Sequence, residues 1–367
     1  MILKISNNKD HMAAAEKNFF YNTVTELFSA APFSYLSFAV LDFSSQKSYW
    51  LELKKQFFQA PRFPNRAERR QQQFRPYRLI HQDSTQQRDP HSPEYFFDLA
   101  SLTKPLSLGI LALSHPELFN DQLRLLLNHQ AGLPPHGFLD ARHDQWKKNL
   151  KRYQIESSPT LYSDYSALRL QLELEKSLQE SLLPFLKKNV FHNQSDQPLY
   201  WRELYSLPKS RVIFPPTGER NRRLISGEVH DDNAYHLPQF CAHAGFFSSI
   251  QRLSSFLFFL DQTHHLLNEM NILVDNKSPS SRFACGFDTV TDPLLTLAGL
   301  GHSSSTFGHL GFTGTSFWID PLKKRGHILL TNATEQAWFP RDHLQKLRKF
   351  LGSQSLTMDI TGPSPFC

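Results

Sequence analysis

The spacing of apolar positions changes character several times along the chain. From 13 to 29, AAAEKNFFYNTVTELFS places apolar residues at helical intervals and predicts an N-terminal helix. SYLSFAVLDF and KSYWLEL then read as two β-runs separated by SSQ, a hairpin. From about 55 to 94 the chain is polar and arginine-rich around RFPNRAERRQQQFRPYR, which reads as a long excursion off that hairpin.

The middle third returns to helical spacing. SLTKPLSLGILALS opens a helix that tolerates Pro105 only near its first turn. DQLRLLLNHQAGLPP predicts a helix stopped by Gly132 and two prolines, and ARHDQWKKNLKRYQ and ALRLQLELEKSLQESLLPFLKK are further amphipathic helices. Near the C-terminus, FGHLGFTGTSFWIDPLKKRGHILLTNAT gives two β-runs around a Pro-Lys-Lys-Arg-Gly turn, and RDHLQKLRKFLGS gives a last helix. Helix–hairpin at one end and hairpin–helix at the other predict an α/β (α+β) fold with one mixed sheet built from both termini. Residues 1–100 and 241–367 would form that α/β domain, with a mainly helical domain inserted over 101–240. The cleft between them is where a ligand site is expected.

Composition narrows this only slightly. With 40% hydrophobic and 20% charged residues, the chain can bury a large core. The formal net charge of +6 is mild and implies no more than a tilt toward anionic partners. Cys241, Cys285 and Cys367 are few and odd in number, which argues against a disulfide framework and for a reducing compartment. The first residues carry no apolar stretch behind basic ones, and no window reaches eighteen uninterrupted apolar residues. No signal peptide, no membrane span and a cytoplasmic location are the expectations.

Candidate chemistry begins in YFFDLASLTKPLSLGIL, where Lys104 stands three places after Ser101. A serine hydroxyl is a poor nucleophile until something takes its proton. A lysine can do so if its pKa falls, and burial in apolar surroundings is expected to lower it. At i and i+3 on a helix the two side chains share a face, and a helix N-terminus favours the developing negative charge. Alone, Ser-x-x-Lys is a short motif for which a helix cap and a solvated lysine are an ordinary explanation. Two further stretches change that. SPTLYSDYSALRL places Tyr162, Ser163 and Asp164 on a turn before a helix, and FGHLGFTGTSFWIDP places His309-Leu310-Gly311 at the start of a β-run.

Ser-x-x-Lys, Tyr-Ser-Asn/Asp and Lys/His-x-Gly, in that order, resemble the three-part signature of the serine β-lactamase and penicillin-binding-protein superfamily. The sequence is similar to its class C-like branch, and more so to the esterase and peptidase relatives. FDLASLTKPL, LLLNHQAGLP, GEVHDDNA, AHAGFFSS and GFTGTSFWIDP extend the likeness from about 95 to 332. The resemblance implies a β-lactamase/transpeptidase-like fold, a mixed antiparallel sheet flanked by helices with an inserted all-helical domain. It implies Ser101 as the acylated nucleophile, Lys104 as its base partner and Tyr162 as proton shuttle. Asp164 would neighbour the lysine where asparagine is usual. The oxyanion hole would be the backbone N–H groups of Ser101 and Phe312, past His309 and Gly311. No metal or other cofactor is implied.

The departures shape the substrate expectation. Where the family has a lysine and a threonine that hold a carboxylate, this chain has His309 and Leu310. A histidine near its ordinary pKa of ~6.5 is mostly neutral at pH 7. The sequence therefore predicts an esterase-like hydrolase of small ester, amide or peptide substrates, with penicillins disfavoured and with charging of His309 near pH 6 narrowing that preference. A true β-lactamase or D-Ala-D-Ala peptidase, and a non-catalytic peptide- or muropeptide-binding member of the fold, remain the alternatives. Three other features have bland explanations. His230, Asp231, Asp232 and His243 lack the spacing of a metal site and read as loop residues tying a wall together. Arg62, Arg66, Arg69, Arg70, Arg75 and Arg78, interleaved with Phe63, Phe74 and Tyr77, read as a solvated loop rather than a nucleic-acid surface. His129, in NHQAGLPPH, reads as helix capping.

Overall fold

The structure, a computed structural model, describes residues 17–58, 76–84, 93–191, 197–336 and 341–359. Its frame is an eight-stranded sheet. The strands are β1 (Tyr35–Asp42), β2 (Lys47–Phe57), β3 (Tyr77–Asp83), β4 (Phe283–Ala284), β5 (Phe287–Thr289), β6 (Phe307–Leu310), β7 (Ser316–Asp320) and β8 (Arg325–Thr331). They lie in the order β4-β5-β6-β7-β8-β1-β2-β3, and every neighbouring pair is antiparallel. The two ends of the chain meet at β1 and β8, registered from Leu36 opposite Thr331 to Asp42 opposite Arg325.

All eight residues of β1 are buried, because both faces of the sheet are covered. Period-2 alternation sends Leu36, Phe38 and Val40 to one side. There they pack with Phe20, Val24 and Phe28 of α1 (residues 17–30) and Leu344, Leu347 and Leu351 of the last helix, Asp342–Thr357. Ala39 and Leu41 face the other way, into a second core shared with Ile250, Leu253 and Leu257 of the helix Ile250–His264. That core continues without a break into the helices between β3 and β4. Removing one of these large apolar side chains from water contributes roughly 1.5–3 kcal/mol, so the two cores hold the sheet rigid between them.

Several elements differ from the sequence expectation. Part of the excursion after the hairpin is a third strand, since β2 runs on to Phe57 and Tyr77–Asp83 pairs along it. Arg62, Arg66, Arg69, Arg70 and Arg75 lie outside the described residues. The helix expected to stop at Gly132 covers Asp121–Leu127 and is ended earlier, at Asn128 and at His129 with φ +58°. The β-run before the Pro-Lys-Lys-Arg-Gly turn is two strands, β6 and β7, broken over residues 311–315.

Candidate active site

The local chain geometry around Ser101 is dictated by its neighbours. Asp98 closes the short strand Phe97–Asp98, paired with Phe247–Ser248. Its carboxylate accepts the Ala100 N–H at 2.8 Å and the His230 N–H at 2.7 Å. Ala100 is held at φ +47°, a left-handed conformation that costs a non-glycine residue energy and persists only when its surroundings impose it. They do: Thr313 donates to the Asp98 carbonyl at 2.7 Å, Thr315 to the Leu99 carbonyl at 3.0 Å, and Leu99 N–H to Phe246 O at 2.9 Å. The turn is therefore fastened to the segment after β6 before the helix begins.

That helix starts as a 3-10 turn over Ala100–Leu102, widens into a π-turn over Pro105–Gly109 and becomes α-helical over Ile110–Ser114. Pro105 has no N–H to give the Ser101 carbonyl one turn back, and its ring would collide with that carbonyl in a regular α-helix. The wide turn relieves this collision.

Lys104 is buried and meets three groups. Its Nζ donates to Ser101 Oγ at 3.2 Å and to the His243 carbonyl at 3.0 Å, and pairs with Asp164 Oδ1 at 2.7 Å. It also lies 4.8 Å from the centre of the Tyr162 ring. The structure thus brings Ser101, Lys104, Tyr162 and Asp164 together. The expected fall in the lysine pKa does not occur. Burial does act to lower it, but the Asp164 carboxylate and the Tyr162 phenol outweigh burial and hold Lys104 above its ordinary value. Asp164 is displaced downward: burial opposes ionisation, and the charge of Lys104 wins. Burial raises the Tyr162 phenol against the opposing charge of Lys104.

The Tyr162-Ser163-Asp164 turn is pinned from the other side by NHQAGLPP. Ser163 N–H donates to His129 Nδ1 at 3.1 Å, Ser163 Oγ to Pro134 O at 2.5 Å, and Asp164 N–H to Pro135 O at 2.7 Å. Ser163 also caps the helix Asp164–Leu178 by accepting the Ser166 N–H at 2.9 Å. His129 packs its ring 4.6 Å from that of Tyr162 and 4.7 Å from that of Phe283. It is structural, as read, but it supports the tyrosine as well as ending a helix.

Of the four residues weighed as metal ligands, two pair with each other and two point to other groups. His243 Nε2 pairs with Asp231 at 2.9 Å, Asp232 pairs with Arg220 at 3.0 Å, and the His230 ring lies 5.5 Å from Phe312. Among the described residues no group of three or more His, Cys, Asp or Glu could hold a metal ion. Asp231 draws the His243 pKa up to about 10 against the opposing effect of burial. Burial pushes the Asp98 carboxyl up to about 6.

On β6, His309 is buried with its ring 5.9 Å from that of Tyr162. With its Nδ1 against the Leu310 carbonyl at 2.9 Å and no carboxylate beside it, burial pushes its pKa down to about 3. The expected charging near pH 6 is thereby overturned. Gly311 is required by contact: a Cβ there would lie 1.9 Å from Thr315 Oγ1 and 2.8 Å from the Leu99 carbonyl. Phe312 follows, exposed on the site's rim. Two arginines were missed by sequence reading because both come from beyond the last strand. Arg348, buried, donates to the carbonyls of Thr315 at 2.8 Å and Gly311 at 3.4 Å and so holds this segment. Arg341 stacks 4.7 Å from the Phe312 ring and so places a cation at the rim.

This sheet, covered on both faces and carrying Ser-x-x-Lys, Tyr-Ser-Asp and His-x-Gly on neighbouring elements, is the β-lactamase/transpeptidase fold. The chain belongs to the β-lactamase family: residues 122–350, more than half of its length, match the family described as Beta-lactamase. It is 25% identical over 258 residues to an N-acetylmuramyl-L-alanine amidase of Bacillus subtilis (strain 168), covering 58% of this chain and only 56% of that relative. Solved structures of similar fold include a simvastatin synthase mutant from Aspergillus terreus (TM-score 0.55, 14% identity, 94% of this chain and 97% of that one). They also include the penicillin-binding protein homologue of Pyrococcus abyssi (TM-score 0.55, 15% identity, 89% and 75%). A β-lactamase/D-alanine carboxypeptidase from Pseudomonas syringae is a third (TM-score 0.53, 13% identity, 92% and 98%). Among the described residues no helix is long and apolar enough to cross a membrane.

Proposed function

We propose that the protein is a serine hydrolase that cleaves an ester or amide through an acyl-enzyme on Ser101, with neutral short-chain esters preferred over penicillins and cephalosporins. The observation that carries this reading is Lys104 Nζ, buried between Ser101 Oγ at 3.2 Å and Asp164 at 2.7 Å. Because Asp164 holds Lys104 as a cation, Lys104 acts as the base only in the fraction that has lost a proton to solvent. Its neutral amine takes the Ser101 proton as Oγ bonds to the carbonyl carbon and the carbonyl π pair moves onto the oxygen. Tyr162 gives its phenol proton to the leaving group as the adduct collapses and is reprotonated from Lys104 Nζ, which restores the neutral amine. The N–H groups of Ser101 and Phe312 receive the oxyanion, and such donors are worth about 10²–10³-fold each. The neutral His309 beside Leu310 supplies no fixed charge for a carboxylate, which supports the ester preference, whereas Arg341 on Phe312 is the cation that would oppose it.

The test is covalent labelling by a fluorophosphonate, with turnover of p-nitrophenyl butyrate and of a chromogenic cephalosporin measured alongside. Labelling and turnover should disappear in Ser101→Ala with the fold intact. Absence of labelling in the unmodified protein would leave a non-catalytic binding member of the fold. Cephalosporin hydrolysis matching that of the ester, and lost in Arg341→Met, would return the chain to β-lactam chemistry. Amide cleavage is the second reading, supported by the likeness to the B. subtilis amidase. Release of p-nitroaniline from a short acyl anilide would select it.

A further inference from the structure

Beside Phe312 opens a cavity of about 310 Å³ whose lining, among the described residues, includes Glu219, His230, Thr334 and Glu335 and no lysine or arginine. It is joined to the serine turn through shared residues. Phe312 carries the candidate oxyanion N–H, and His230 N–H is held by Asp98, whose other oxygen fixes Ala100. Arg341 lies against the Phe312 ring and lines an adjoining, much smaller pocket that shares Phe312 and Thr334 with the first. Among the described residues the larger cavity is lined by the Glu335 carboxylate and by no lysine or arginine.

Its polar atoms are also unfinished. Thr334 is 6% exposed and its Oγ1 has no hydrogen-bond partner, nor has His230 Nδ1. Leaving a buried polar atom unpaired is costly, and such atoms call for a ligand or an ordered water. Glu335 accepts from Asn332 Nδ2 at 3.1 Å and is also hydrogen-bonded by Ser34, with the charge of Lys55 acting on it as well. Burial pushes its carboxyl up to about 7, and burial holds His230 below its ordinary value. The ionised Glu335 carboxylate only accepts, and the Thr334 hydroxyl and one nitrogen of a neutral His230 ring can accept as well. An alkylammonium has three donors and no acceptor, and a carboxylate has the reverse.

We propose that this cavity is a substrate subsite for a primary ammonium group, so that the favoured substrates are amino esters or amino amides whose carbonyl reaches Ser101 while their amine is held by Glu335, Thr334 and His230. This rests on the hydrolase reading for the reaction, though not for the binding. The probes are n-butylammonium, n-butanol and butyrate, titrated into the unmodified protein at pH 7.5 and followed by NMR. The ammonium should bind at least tenfold more tightly than either of the others, and Glu335→Gln should remove that preference. Thr334→Val should weaken ammonium and leave butanol unchanged, which keeps the test open if Glu335→Gln does not fold. Butyrate binding as tightly as the ammonium, or an undiminished preference in folded Glu335→Gln, would overturn the subsite. Ammonium binding with no ester turnover in the unmodified protein would uphold the site and remove the hydrolase reading.

Discussion

His243 and His309 are both buried at the candidate site, 1% and 2% exposed, and they titrate in opposite directions. His243 has Asp231 at 2.9 Å and is drawn up to about 10, whereas His309, among aromatic rings and with Lys104 as its nearest influential charge, is driven down to about 3 by burial and that charge. Burial is the same for both. The carboxylate decides the sign, because a desolvated charge survives only beside its counter-charge. Lys104 obeys the same rule through Asp164. One wall of the site is therefore built from closed ion pairs and the other from neutral rings.

Breaking the charged wall should have the largest effects. Lys104→Ala removes both the serine's partner and the counter-charge of Asp164, and kcat/KM for p-nitrophenyl butyrate should fall about 10²–10⁴-fold. A near-normal rate would make the lysine structural. Asp231→Asn strands a buried imidazole, and unfolding in urea should show a loss of about 3–5 kcal/mol at pH 6.

That loss depends on pH with a defined sign. The His243 pKa is raised, so its contribution is complete below the unfolded value of ~6.5 and is lost as pH climbs toward about 10. The Asp231 carboxyl is held low mainly by His243, against burial, so its contribution is present above the ordinary ~3.9 and fades as pH falls further. The difference between native protein and Asp231→Asn should thus be greatest near pH 4–6.5 and shrink by pH 9.5. A difference constant from pH 6 to 9.5 would contradict the pairing.

Asp164→Asn sharpens the comparison more gently. Without the carboxylate only Tyr162 opposes burial at Lys104, and the lysine pKa should fall. In the native protein the ester rate should keep rising with pH into the alkaline range. In the variant the acid limb should move down by at least about one pH unit, which a pH–rate profile reads directly. The smallest effect is expected at His309, where taking the pH from 8 to 6 should change the ester-to-cephalosporin ratio by less than about twofold. A ring that titrates at about 3 gains no charge in that range.

Much of this site was legible because its residues sit in short, ordered motifs. Ser101 and Lys104 share a helical turn, and Tyr162 and Asp164 share a capped turn. His309 and Gly311 flank a strand end, so local chemistry announces each group. Their partners were not legible. Asp98 reaches His230 across more than a hundred residues, and Arg348 grips carbonyls of Gly311 and Thr315 from the last helix. No periodicity encodes such contacts. The direction of the lysine shift failed differently: Asp164 was expected beside Lys104, but only the 2.7 Å contact shows its charge outweighing burial. Secondary structure was misread where one residue outweighed the pattern: Pro105 widens its turn, His129 ends a helix in a left-handed conformation, and Gly311 breaks one β-run into two.

The pairing of β1 with β8 also sets a timetable for synthesis. Leu36 leaves the ribosome early, yet its partner Thr331 is made roughly 290 residues later. At roughly 5–20 residues per second that is a wait of about 15–60 s. Throughout it, the nascent hairpin of β1 and β2 carries an open edge and two apolar faces, with neither the last helix nor β8 yet available to cover them. Open strand edges invite pairing with other chains. The same strand that locks the finished sheet is thus its most exposed segment during translation, and it is the segment a chaperone would have most reason to hold.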